Sequence, residues 1–177
     1  MILSDFDLHN AIRDGRIGIK PFSKDTVREN GIDFRLAPEI AHHVNPGKGF
    51  VLDPTRQGHV DNAYRVQKRV KEMVIEPYEQ VLLSTHEKIK MPDDIVGFVE
   101  LRSTWARHGL SMPPTIIDAG FEGNVTLEVV NNAPYGIKLR PMQGFAHIIF
   151  VKTSNRVRKP YAGKYLNQSG IRIPKKV

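Results

Sequence analysis

Cysteine is absent from the 177 residues. That excludes disulfides, thiolate nucleophiles and every zinc site that needs a cysteine ligand. Long apolar runs are missing too: nothing approaches the ~20 consecutive apolar residues a membrane-crossing helix requires. The opening stretch, Met1 to Asn10, carries Asp5 and has no basic segment followed by an apolar one, so it does not read as a leader. A soluble, cytoplasmic protein with no membrane partner is the expectation. Aromatic residues are sparse, at 8% with a single Trp, which counts against a small barrel that reads single-stranded nucleic acid by base stacking.

Positive charge is in excess. The formal net charge is +7 and the sequence pI is about 9.7, a balance that suits a polyanionic or phosphate-rich ligand. The basic residues are scattered apart from Arg65–Lys71, Arg156–Lys159 and Lys175–Lys176. A solvated basic surface would give the same counts.

Ser4 and Asp7 have the spacing of a helix start, Leu8, Ala11 and Ile12 share a helical face, and Gly15 ends it. A strand over Ile17–Ile19 stops at Pro21. Further strands are expected at Ile32–Leu36, Glu72–Ile75, Val81–Thr85, Ile95–Glu100, Val125–Val130, Gly136–Leu139 and Ala146–Val151. Turns rich in Pro and Gly, such as Asn45–Gly49, separate them. Asp53–Gln57 and Ser103–His108 are the other helical candidates. Short, regularly spaced strands predict an all-β fold, a sandwich or barrel, with a few short helices in one domain over residues 1–177. Tyr161 to Val177 is polar and basic, expected to lie over the surface or over a neighbouring subunit.

Three segments carry candidate chemistry. In Leu101–Leu110 a strand leads into a short helix that Ser103 could cap and Gly109 could end; Arg102 adds charge, and Ser103 and Arg107 share a face. Anion binding suits it, as does a plain capped surface helix. In Ile117–Val130, Gly120 and Gly123 permit tight turns. Asp118 stands at the mouth of a turn, Val125, Leu127 and Val129 form one strand face, and Thr126 and Glu128 form the other. If that second face lines a closed pocket, desolvation raises the Glu128 pKa toward the range useful for proton transfer; in open water it stays ordinary. In Tyr161–Gly170, Tyr161, Lys164, Tyr165 and Gln168 could fold over a phosphorylated ligand.

In this order, "RSTWAR" (102–107), "IDAGFEGNVTLE" (117–128) and "GKYLNQ" (163–168) resemble the dCTP deaminase family of the deoxyuridine triphosphatase-like superfamily, over nearly the whole chain. The resemblance implies a distorted β-barrel or jelly roll, a β-clip fold, assembled as a homotrimer with active sites at subunit interfaces. It implies hydrolytic deamination of dCTP to dUTP and ammonia, feeding dUMP and dTTP synthesis, with thymidine triphosphate as an inhibitor. Glu128 matches the family's catalytic glutamate, and Ser103 and Arg107 match residues that support it. Arg102, Ser103, Thr104, Arg107, Asp118, Thr126, Leu127 and Glu128 would contact substrate, with Tyr161, Lys164 and Gln168 closing the tail over base and phosphates. Magnesium would arrive with the triphosphate. No zinc is required, in keeping with the missing cysteines.

In related deoxyuridine triphosphatases the residue matching Asp118 activates a water against the phosphate chain, so a bifunctional enzyme releasing dUMP and pyrophosphate is the alternative. The 111–117 loop is short relative to bacterial members, which makes Pro113–Thr115 the stretch expected to offer backbone acceptors to the base. His147 stands where many relatives carry Gln and is expected to be structural.

Overall fold

Ser4 caps the first helix reciprocally with Asp7: its hydroxyl accepts from the Asp7 N–H, and the Asp7 carboxylate accepts from the Ser4 N–H. The computed structural model describes residues 1–177. Helix α1 (Asp5–Arg13) buries Leu8 and Ala11 and is followed by β1 (Gly18–Lys20), β2 (Val27–Arg28) and β3 (Gly31–His43). Next come α2 (Gln57–Asn62), β4 (Tyr64–Lys68), β5 (Met73–Ile75), β6 (Gln80–Lys90) and β7 (Ile95–Leu101). The order ends with α3 (Ser103–Arg107), β8 (Leu110–Ser111), β9 (Thr115–Ile117), β10 (Glu122–Asn131), β11 (Ile137–Leu139) and β12 (Gly144–Lys152).

Ten strands form one curled antiparallel sheet, a half-barrel with the central order β8-β10-β6-β3-β12-β7-β9. β1 adds to β6, and β2 and β4 add to β3, while β5 and β11 make a separate ribbon. The expected all-β architecture is what the chain adopts. One face of the sheet holds the main core, in which Phe34, Phe145, Phe150, Leu83, Ile89 and Val129 are fully enclosed.

Several boundaries differ from expectation. β3 runs on past Leu36 to His43 through a register shift between Leu36 and Ile40. The second helix starts at Gln57 rather than Asp53, because the Asp53 carboxylate accepts from the Thr55 N–H and holds that stretch as a turn. Ser103 does not cap α3. Arg102 occupies the N-cap position with no side-chain bond to the helix, whereas Gly109, at φ +101°, does follow the helix end as expected.

β10 alternates without exception, with Val125, Leu127 and Val129 buried and Thr126 and Glu128 on the other face. A bulge sets this register. Between the pairs Asn124↔Lys88 and Thr126↔Ser84, β6 carries two more residues than β10. The Asn124 side-chain amide donates to the carbonyls of Thr85, His86 and Glu87 at 2.9, 3.4 and 3.1 Å. Buried Thr85 completes the plug: its hydroxyl donates to the Glu87 carbonyl at 2.8 Å and accepts from the Val125 N–H at 2.9 Å. Thr85→Val keeps the shape and strands that N–H. We expect a loss of about 1–3 kcal/mol in urea denaturation; an unchanged midpoint would show that the bulge does not depend on the hydroxyl.

Candidate functional site

The strand register gathers one set of side chains on the face opposite the main core. Glu128 on β10 lies opposite Leu82 on β6, Leu82 opposite Ala41 on β3, and Ala41 opposite Val66 on β4. Counting by twos along each strand adds Thr126, Gln80 and Tyr64 to this face. The C-terminal segment then crosses it. Gln168 forms a parallel bridge with Gly123, the Asn124 N–H donates to the Gln168 carbonyl at 3.1 Å, and the Gly170 N–H donates to Asn124 Oδ1 at 3.1 Å. The Ile171 N–H reaches buried Glu39 at 3.0 Å, and Ile171 packs with Ala41 and Leu82. The tail therefore lies over its own sheet.

Between sheet and tail is a cavity of about 420 Å³. Glu128, Thr126 and Asp118 line it, together with Phe121, Tyr161 and Gln168. The Phe121 and Tyr161 rings meet edge to face at 5.6 Å. Asp118 heads the turn whose carbonyl accepts from the Phe121 N–H at 3.1 Å; Gly120 sits at φ +86° within it, and a Cβ there would lie 2.5 Å from Pro160. The Asp118 side chain stays exposed at the cavity.

Glu128 is half-buried, and its Oε2 atom is enclosed without a hydrogen-bond partner. Burial pushes its carboxyl above the usual carboxylate range, with a bond from its own backbone N–H working the other way. The Tyr64 hydroxyl is pushed up as well, first by burial and then by the charge of Glu128. A half-buried carboxyl with one unpaired oxygen facing a cavity is a group able to take up and return a proton.

Of the residues singled out from the sequence, Glu128, Asp118, Thr126, Tyr161 and Gln168 come together here. Leu127 points into the core and can offer the cavity only backbone. Lys164 is exposed, its ammonium donating to the Lys176 carbonyl at 2.6 Å. Thr115 of the 113–115 stretch lines the cavity; Pro113 and Pro114 do not. Arg102, Ser103 and Thr104 line a separate recess of about 340 Å³, and Arg107 on the same helix is exposed. His147 is bonded to Asp33 at 2.9 Å. Tyr165, singled out in the tail, lines the cavity too, whereas sequence reasoning missed Tyr64, Gln80 and Arg172, which also line it. Tyr64 could have been found from its place at the head of an alternating stretch, whereas nothing local marks Gln80 or Arg172.

A family model described as dCTP deaminase-like matches residues 2–153. The chain belongs to that family. A dCTP deaminase of Sulfurisphaera tokodaii is 46% identical over 175 residues, covering 99% of this chain and 92% of that protein. The crystal structure of a 2'-deoxycytidine 5'-triphosphate deaminase from Agrobacterium tumefaciens superposes with a TM-score of 0.65 at 18% identity. That match spans 84% of this chain and 46% of the other, so this chain accounts for slightly less than half of that longer protein. A dUTPase of Staphylococcus bacteriophage 80alpha superposes with a TM-score of 0.51 at 15% identity, over 83% of this chain and 97% of that one. Both likenesses establish the fold, which is dUTPase-like. No helix is long and apolar enough to cross a membrane, and no three His, Asp or Glu side chains cluster as metal ligands would.

A raised carboxyl pKa has a stability consequence with a definite sign. Folding favours the protonated form of Glu128, so its contribution is fully present below the ordinary carboxylate pKa and is lost as pH rises through the raised folded value. Glu128→Gln cannot ionise. It should melt above the parent at about pH 8, with the gap closing toward about pH 4. A gap independent of pH would mean the carboxylate is not desolvated in the folded chain.

Proposed function

We propose that this protein hydrolyses dCTP to dUTP and ammonia without zinc, with Glu128 as general acid–base. The observation that carries the reading is the half-buried Glu128 carboxyl, its Oε2 enclosed and unpaired, at a cavity that the C-terminal segment covers. Family membership supplies the substrate class. Glu128 takes a proton from a water as the water oxygen attacks C4 of the cytosine ring. The same carboxyl delivers that proton to N3, then takes the second proton from the C4 hydroxyl of the tetrahedral adduct and passes it to the amino group. The C4–N bond breaks as C4=O forms, so water is consumed and ammonia leaves. A carboxyl with a raised pKa serves both directions at working pH.

Asp118 accepts from the deoxyribose 3′-hydroxyl at the cavity rim. Tyr161 and Gln168 close over the base, and Thr126 and the Leu127 backbone floor the site. Arg102, Ser103, Thr104 and Arg107 act on the site of a neighbouring copy in a homotrimer, with Ser103 and Arg107 supporting the reacting centre and Arg102 and Thr104 the phosphates. Their placement off the Glu128 cavity, on an exposed short helix, supports that division. Lys164 turns to the phosphates when the tail engages substrate. Magnesium enters as part of the nucleotide substrate, and the dUTP formed in the cytoplasm feeds dUMP and dTTP synthesis.

The test is product analysis after incubation with dCTP and magnesium in the presence of a zinc chelator. Accumulating dUTP with ammonia is the expected result. Direct appearance of dUMP and pyrophosphate would instead identify a bifunctional deaminase–diphosphatase in which Asp118 activates a second water; Asp118 lining the same cavity as Glu128 favours that as the second reading. Intact dCTP would overturn both.

Glu128→Gln should lose turnover by about 10²–10⁴-fold, the usual worth of a general acid–base, while nucleotide binding persists. Turnover retained in that variant would remove Glu128 from the role. Arg107→Ala should weaken binding and slow the reaction together, read as a rise in KM and a fall in kcat.

A further inference from the structure

Asp33 is only 4% exposed, yet it is an acid. A buried carboxylate persists where cations and donors meet it, and three residues do so. Arg28 Nε donates to Oδ2 at 2.8 Å, His147 Nδ1 lies 2.9 Å from Oδ1, and Arg102 Nε lies 3.4 Å from Oδ2. Strand register builds the group: Asp33 on β3 faces His147 on β12, and His147 faces Glu100 on β7. Since an ionised carboxylate only accepts, His147 carries its proton on Nδ1. Its Nε2 edge packs on Gly31, where a Cβ would come within 2.4 Å.

Arg102 has a second anchor. Its Nη1 donates to the Gly144 carbonyl at 3.2 Å, which also accepts from Trp105 Nε1 at 2.9 Å. A Cβ on Gly144 would sit 2.5 Å from Nη1, so the guanidinium lies directly against that backbone. The Gly144 bond engages Nη1 and the Asp33 ion pair faces Nε, while no hydrogen bond within the chain engages Nη2. Glu29 and Glu100 line the same recess as Arg102, so a guanidinium released from Asp33 would have other carboxylates to turn to.

We propose that Asp33, clamped between Arg28 and His147, is the positioning residue that holds Arg102 for the substrate's phosphate chain. The inference rests on the reading of Arg102 as a phosphate contact. Arg28 and His147 hold the Asp33 carboxylate in its orientation, and Asp33 keeps the Arg102 guanidinium in one plane. Loss of either support weakens capture of phosphate and leaves the acid–base chemistry at Glu128 in place.

The test measures steady-state kinetics with dCTP, and inhibition by inorganic tripolyphosphate, in Asp33→Asn, His147→Leu, His147→Gln and Arg102→Ala. Asp33→Asn should raise KM about tenfold and weaken tripolyphosphate inhibition to a similar extent, with a smaller change in kcat; tenfold is within the worth of one charge-assisted bond. His147→Leu should act in the same direction. His147→Gln should restore the parent values, because its amide N–H can still donate to Asp33. If Asp33→Asn does not fold, the two His147 variants decide. A fall in kcat with KM and tripolyphosphate inhibition unchanged would overturn the positioning role and leave a structural one. An unchanged KM in Arg102→Ala would overturn the underlying reading. A raised KM in Arg102→Ala with silent Asp33 and His147 variants would overturn the positioning role alone.

Discussion

Asn124 and Thr85 meet across the β6–β10 pair, one giving its side-chain amide to a run of carbonyls and the other inserting a hydroxyl under the Val125 N–H. Everything that follows along β10 inherits its register from that plug. A strand alternates with period two, so a slip of one residue would turn Val125, Leu127 and Val129 outward and drive Glu128 into the core. Glu128 therefore faces the cavity because the apolar residues beside it are held inward. The unfavourable enclosure of one carboxyl is sustained by the burial of its neighbours.

The same bulge is where the C-terminal segment docks. Asn124 gives its amide to β6 and its backbone N–H to the Gln168 carbonyl, and its Oδ1 accepts from the Gly170 N–H. Thr126, one alternation on, accepts from the Arg172 N–H at 3.3 Å. The wall that carries Glu128 and the lid that covers it are thus aligned by one asparagine, and a change in the bulge reaches both sides of the cavity.

How much of this was legible in the sequence varies element by element. β10 was readable because its alternation is unbroken and its burial follows it. The second half of β3 was not: Pro38 interrupts the pattern, and a proline within a strand ordinarily argues against one. Here Pro38 is exposed and lies within the register shift between Leu36 and Ile40, where the ladder is already broken. β4 was hidden for a different reason: it is an exposed edge strand whose alternation is limited to Tyr64 and Val66 among polar and basic residues. In the candidate site, motifs near one another in sequence could be grouped, and Asp118, Thr126 and Glu128 were. Asp33 with His147, 114 residues apart, could not, since only strand pairing makes them neighbours. Ser103 fails as a cap because Arg102 sits in the capping position.

The covering segment also has a dynamic signature of its own. From Tyr161 onward only Gln168 and Ile171 are buried, so most of its attachment to the sheet consists of individual hydrogen bonds at or near solvent. Such attachments open at far lower free energy than strands locked around a core. Amide deuterium uptake should therefore run in two regimes across one site, rapid at Gly170 and Arg172 and slow at Val125 to Val129. The cavity has one wall locked around a core and one wall held by separate hydrogen bonds, two attachments of different kinds facing each other across a single space.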